Sequence, residues 1–177
     1  MNWTRAAIVA ILGSALVAGV SLYYLQVYAY YVEVTADDAG GVTLVRADTG
    51  EAEAIEFTDF TAIDSDSSPI RFRACFRTAL TPATAAETYV ADPDAVPLNA
   101  PGWFDCFDAR AIGGALESGD ARAFLVASNV HYGIDRVAAL FADGRGYMWH
   151  QINHCGEVVF DGEPAPEDCP PVPEGLR

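Results

Sequence analysis

The sequence predicts an α+β fold: an N-terminal transmembrane helix followed by an antiparallel sheet domain with one or two covering helices. Three observations carry that expectation. Residues 6–32 hold no charged side chain, and all 25 acidic residues lie beyond them. Downstream, short segments alternate apolar and polar side chains with period two and are separated by turn-forming clusters. Two of these segments flank Asp143-Gly-Arg-Gly146, a strong hairpin signal.

The first element is the apolar run. A hydrocarbon core about 30 Å thick takes roughly 20 apolar helical residues at about 1.5 Å each, and Ala6–Tyr28 supplies them. Arg5 and the free amino group lie on one side and an acidic domain on the other. The positive-inside tendency therefore puts residues 1–5 in the cytoplasm, the anchor at 6–31, a linker at 32–41 and a domain at 42–177 in the periplasm. The expected location is a bacterial inner membrane, crossed once. Tyr23, Tyr24, Tyr28, Tyr30 and Tyr31 crowd the outer end, where amphipathic rings settle at headgroup level. A cleaved signal peptide is the competing reading, because Val27-Tyr28-Ala29 obeys the small-residue rule. The apolar run, however, exceeds the roughly 7–15 residues of a signal h-region. A buried core helix is disfavoured because the run has no polar face to show to water. Along it Ala6, Ala10, Ser14 and Ala18 recur every four residues, with Ala7, Ala15 and Gly19 beside them. Such a small-residue stripe lets another helix approach closely.

Composition bounds what the domain can do. Setting Arg5 aside, nine of the ten basic residues face 25 carboxylates, a net charge of −16 with no lysine at all. A field of that sign argues against nucleic acid and anionic lipid and permits basic proteins or cations. It also simply keeps an exported domain soluble. Four cysteines in a chain facing an oxidising space predict two disulfides. Of three pairings we favour Cys155 with Cys169, which closes a short loop worth about 3 kcal/mol in chain entropy, and Cys75 with Cys106. No C-x-x-C is present, which disfavours redox catalysis.

After the linker, Val42–Arg46 and Ala54–Phe60 read as strands. Asp64-Ser-Asp-Ser-Ser-Pro69 is a turn cluster, and Ile70–Phe76 a strand that puts Arg71, Arg73 and Arg77 on one face. Ion pairs of Arg71 and Arg73 with Asp59, Asp64 or Asp66 are the expectation, in preference to an anion site. Thr81-Pro82 suits an N-cap followed by Pro at the first helical position. Asp105 or Asp108 caps a helix running to about Ser118 with Gly119 as its stop. Trp103 and Phe104 are read as core packing beside a disulfide, an exposed binding spot being the alternative. Ala121–Ala127 is continuously apolar, like a central strand. Arg136–Ala142 and Tyr147–Ile152 form the hairpin, and beyond Cys155 the chain reads as a Pro-rich, irregular, disulfide-closed loop.

Chemistry-bearing residues are few. His150 and His154 have H-x3-H spacing, which on a helix would suit zinc or copper. Here the context is a strand, where that spacing covers roughly 13 Å, too far for one ion. No metal or cofactor is therefore expected. Asn129, His131, Tyr132, Asp135 and Arg136 form the densest polar cluster, a possible binding cluster where a strand ends and a hairpin begins. His131 and Asp135 are a conceivable acid–base pair, but no nucleophile, zinc-protease or phosphate-loop motif accompanies them.

Several runs resemble an alphaproteobacterial family of single-pass membrane proteins with a domain of unknown function. They are Tyr23-Tyr-Leu-Gln-Val-Tyr28, Ser68-Pro-Ile-Arg71, Ala74-Cys-Phe76, Ala100-Pro-Gly-Trp-Phe-Asp-Cys-Phe-Asp108, His131-Tyr-Gly-Ile-Asp-Arg136 and Asp143-Gly-Arg-Gly-Tyr-Met-Trp-His-Gln151. The resemblance implies topology and origin and transfers no catalytic residue. The functional expectation is a non-catalytic, membrane-anchored accessory or assembly subunit of an inner-membrane protein complex. Its contacts would be to that complex, through anchor and acidic domain, and to the lipid bilayer, with no nucleic acid. The alternatives are a periplasmic ligand-binding or sensory domain acting through a partner, and then a hydrolytic enzyme using His131 and Asp135.

Overall fold

The structure, a computed structural model, describes residues 2–176. Helix α1 (Trp3–Tyr24) continues through a π-helical turn, Leu25–Ala29, and none of its residues is buried. The 27 residues of Trp3–Ala29 are long and apolar enough to cross a membrane. Within α1, Ala6, Ala10, Ser14 and Ala18 lie along one side, as fourfold spacing requires, and Ser14 Oγ donates to Ile11 O at 3.0 Å.

The chain then enters the domain without a free tether. Strand β1 (Val32–Val34) pairs antiparallel with β4 (Thr58–Asp64), Val32 opposite Asp64 and Val34 opposite Ala62. The segment expected to be linker is thus sheet at its start, for a physical reason. Val32 and Val34 alternate about Glu33, and β4 offers them an unpaired edge. A turn then closes from Gly41 N to Ala36 O, and β2 (Thr43–Val45) and β3 (Ala52–Ala54) make a separate two-stranded ribbon. The strand read at Ala54–Phe60 is two pieces, interrupted at 55–57 where the chain leaves the ribbon for the sheet. Asp59 takes a left-handed φ of 53° within an irregularity between Thr58 and Thr61.

The remaining elements are β5 (Arg73–Arg77), α2 (Pro82–Ala86), α3 (Ala109–Ser118), β6 (Ala121–His131), β7 (Ile134–Phe141), β8 (Arg145–Ile152) and α4 (His154–Phe160). Local chemistry explains the helix ends. Thr81 Oγ1 accepts from Thr84 N, Asp108 accepts from Arg110 N and Ala111 N, and Gly119 closes α3 at φ 81°. Six strands form one antiparallel sheet in the order β1-β4-β5-β8-β7-β6, so the fold class matches the sequence reading. One face (Ile63, Cys75, Val137, Tyr147, Trp149) packs on α3 through Ile112 and on Phe104 and Phe107. The other (Ala62, Phe76, Ala138, Leu140, Met148) packs on the ribbon through Val42 and Leu44. Burying each large apolar side chain contributes about 1.5–3 kcal/mol, so the two-faced sheet is the stability centre.

β6 lies at the sheet edge and not at its centre. It is apolar because both faces are covered, and its outer edge is satisfied by a passing segment: Leu125 N donates to Val90 O and Asp92 N to Ala123 O, each at 2.9 Å. Alternate strand ends gather where α1 leaves the domain. The end of β4, the tip between β6 and β7, the end of β8, α4 and the turn at 64–69 all lie at that edge of the sheet.

Candidate functional site

At this α1-proximal end the sequence-singled cluster divides into a buried stack, a lock and a cavity. The stack is set by register, since Arg136 on β7 lies opposite His150 on β8. Arg136 Nε donates to His150 Nε2 at 2.9 Å, and its Nη1 donates to Ala39 O at 2.7 Å. The guanidinium sits 4.2 Å above the Phe72 ring, which stacks on the imidazole at 4.9 Å. Because Arg136 has no lone pair to offer, His150 Nε2 is the acceptor. Nδ1 therefore carries the proton and donates to Pro69 O at 2.7 Å. Burial pushes the imidazole down to about 4, opposed by the Pro69 hydrogen bond and reinforced by Arg136. Both ring nitrogens are committed, so His150 is a neutral structural group and shares no ion with His154.

The lock joins the β6–β7 tip to α4. Asn129, at φ 50°, donates its N–H to Asp135 Oδ1 at 2.8 Å, and its own Oδ1 accepts from Gly133 N at 2.9 Å. Asn153 Nδ2 donates to Asp135 Oδ1 at 2.7 Å, while Asn153 Oδ1 caps α4 by accepting from Gly156 N at 3.0 Å. Gly133, at φ 73°, lies directly against Gly156, and a methyl group on either would overlap the other's backbone. Both bonds are accepted by Asp135 Oδ1, and no hydrogen bond joins Asp135 to His131 among the described residues. The pairing needed for acid–base work is not assembled.

His131 and Tyr132 face elsewhere. With Asp64, Ser65, Asp66, Ser68, Pro69 and Phe160 they line a cavity of about 570 Å³. The Tyr132 hydroxyl is buried and has no hydrogen-bond partner among the described residues. Asp64 accepts from Ser65 N at 2.8 Å, and partial burial raises its carboxyl above the usual range. That combination offers a phenolic donor and a carboxyl to a small polar guest.

The ion pairs expected for Arg71 and Arg73 are not formed. Arg73 points into the core, donating to the carbonyls of Leu98 (2.7 Å), Ile70 (2.8 Å), Phe72 (2.6 Å) and Asn99 (3.1 Å), over the Phe107 ring. Four carbonyl dipoles replace a carboxylate, and burial lowers the guanidinium to about 10, with Tyr31 and Asp64 opposing. Arg71 lies over Tyr31 at 5.5 Å. Beside them Trp103 Nε1 donates to Val27 O at 2.6 Å, and its ring stacks on Tyr28 and meets Tyr31 edge-on. Phe104 is core and Trp103 is a joint between domain and helix. The structure links Cys75 to Cys106 and Cys155 to Cys169, the pairs favoured by loop length.

Sequence reasoning weighed His150 only as an ion ligand and passed over Asn153. Asn153 carried a usable signal, being an N-cap residue type just after a strand. His150 carried none, since its partners Pro69 and Arg136 are distant in the chain.

These features define an antiparallel sheet domain clamped to the end of an apolar helix. The chain belongs to a family of unknown function (DUF6446), which matches residues 42–170. No curated protein and no solved structure matches it significantly.

Proposed function

We propose that the chain is a single-pass membrane protein whose domain stands in the periplasm and serves as a non-catalytic accessory or assembly subunit of an inner-membrane complex. One observation carries this reading: no residue of α1 is buried, yet the end of the helix is held to the domain by the Trp103–Val27 bond and the Tyr28 and Tyr31 rings. A helix free around its circumference and a domain held at a set orientation are what a subunit needs to offer partners inside and outside the bilayer at once. The consumption of Asn129, Asp135 and Arg136 in internal bonds supports a structural use of that cluster. In lipid, helices associate by close van der Waals approach, so bulk on the small-residue stripe blocks association. Ala10→Leu with Ser14→Leu preserves insertion and should release the partners that co-purify with wild type in mild detergent. Retention of the same partners, with loss of function in His131→Ala, would overturn the reading.

The unpartnered Tyr132 hydroxyl favours a second reading, a ligand-binding domain that signals through a partner. Under it, Tyr132→Phe abolishes ligand-induced stabilisation while leaving partner binding intact.

A further inference from the structure

Outside the sheet, the C-terminal segment folds back so that four donor groups converge. His154 Nε2 lies 3.6 Å from Cys155 Sγ, 3.5 Å from Cys169 Sγ and 2.9 Å from Asp168 Oδ2. The His and Cys donor atoms all lie within 4.8 Å of one another. A surface ion pair accounts for His154 and Asp168 alone. The disulfide brings the second sulfur alongside the first, so the imidazole and the carboxylate stand beside both cysteines at once.

We propose that His154, Cys155, Asp168 and Cys169 form a zinc-class metal site that the Cys155–Cys169 disulfide closes and reduction opens. The donor set is two thiolates, an imidazole and a carboxylate, which suits a four-coordinate borderline ion. The spacing suits it as well. With Zn–S of about 2.3 Å and Zn–N of about 2.0 Å, a tetrahedral centre sets each S···N separation at about 3.5 Å, close to the separations already present. The two sulfurs would move from bonding contact to about 3.8 Å apart, an opening of less than about 2 Å. One side of the site is rigid, because Asn153 caps α4 and Gly156 is wedged against Gly133 beneath Cys155. The other side has room to move. Cys169 is held by a local turn to Pro166 O at 3.1 Å, in a tail that is largely exposed.

The chemistry balances with an external dithiol as reductant. Its thiolate attacks Cys169 Sγ, the more exposed sulfur, and the S–S bond breaks to release the Cys155 thiolate. The second thiol of the reductant then displaces Cys169, leaving two protein thiols and an oxidised dithiol, a two-electron exchange. Metal binding releases the two thiol protons. The reverse exchange with an external disulfide, which takes up the two electrons and leaves as a dithiol, reforms Cys155–Cys169 and expels the ion.

The test uses the full chain in detergent, reduced with a phosphine, desalted without oxygen and titrated with Co2+ as a spectroscopic stand-in for Zn2+. The expected result is one Co2+ per chain with thiolate-to-cobalt charge transfer, displaced by Zn2+, and no uptake by the oxidised protein. His154→Ala and Asp168→Asn, both at exposed positions, should each weaken binding at least about tenfold. Cys155→Ser with Cys169→Ser should abolish the charge transfer while keeping Cys75–Cys106. Wild-type cobalt spectra in the double serine variant, unchanged affinity in both His154→Ala and Asp168→Asn, or no charge transfer in reduced wild type would each overturn the proposal. So would a reduced chain whose circular dichroism collapses and is not restored by cobalt.

Discussion

The two disulfides each join a buried cysteine to a more accessible one, Cys75 to exposed Cys106 and Cys155 to half-buried Cys169, and they differ in what their closed loops pack against. Cys75–Cys106 ties β5 to the segment entering α3, with Cys75 buried among Ile63, Phe104, Phe107 and Trp149. Cys155–Cys169 ties α4, whose Phe160 is 43% exposed, to a tail in which Leu176 is 47% exposed. The two nearest histidines repeat the contrast. His150 is 2% exposed and neutral between two fixed partners, whereas His154 stands in solvent beside Asp168. The difference teaches that a cross-link stabilises a fold in proportion to what its closed loop packs against.

The largest effect should come from the core bond. Replacing Cys75 and Cys106 by Ala is expected to lower unfolding free energy by about 3–4 kcal/mol for this loop length, read from urea denaturation. A smaller loss than that from the tail pair would break the comparison. Next is the pH response of His150. Folded His150 protonates only near about 4 and the unfolded residue near about 6.5, so between these values the unfolded chain binds the extra proton. Stability therefore falls as pH drops through that window, by about 3 kcal/mol in all, and this contribution is level above and below it. His150→Gln should flatten that part of the profile; an unchanged profile would show that His150 does not carry it.

Arg136→Met should cost about 2 kcal/mol in thermal unfolding, because it leaves His150 Nε2 and Ala39 O without donors in a buried site. The smallest effect is expected from Cys155→Ser with Cys169→Ser. Chain entropy alone assigns that loop about 3 kcal/mol. The tail packs so little that the global loss should stay below about 1 kcal/mol, while limited proteolysis after Phe160 accelerates. A full loss would sharpen the picture differently, by making the tail part of the cooperative core.

Much of the fold was legible because its signals are local. Thr81-Pro82, Asp108, Gly119 and Asp143-Gly-Arg-Gly146 each act within a few residues, and the structure uses each one. What was illegible depends on distant partners. β1 is three residues, and its Val-Glu-Val alternation is too short to mark a strand until β4 lies beside it. β6 reads as central because a central strand and a covered edge strand share the same apolar composition, and only Val90 and Asp92 distinguish them. At the candidate site, Asn129 to Arg136 stood out as polar, but polarity does not say whether a group faces a guest or a neighbour. Arg136 turns to Ala39 and His150, and Asp135 to Asn153, while Tyr132 lines the cavity. Arg73 misled for the same reason, its four carbonyl acceptors being as good as an acid and invisible in composition.

The joint at Trp103 has a mechanical consequence. Its indole grips a carbonyl on one flank of the π-helical turn and lays its ring on Tyr28, so the helix end cannot swivel beneath the domain without breaking both contacts. Advancing a helix by one residue turns its surface by about 100°, enough to carry Val27 O out of reach. Torsion applied to α1 by a neighbouring helix is thus delivered as rotation of the sheet, where a loose tether would dissipate it.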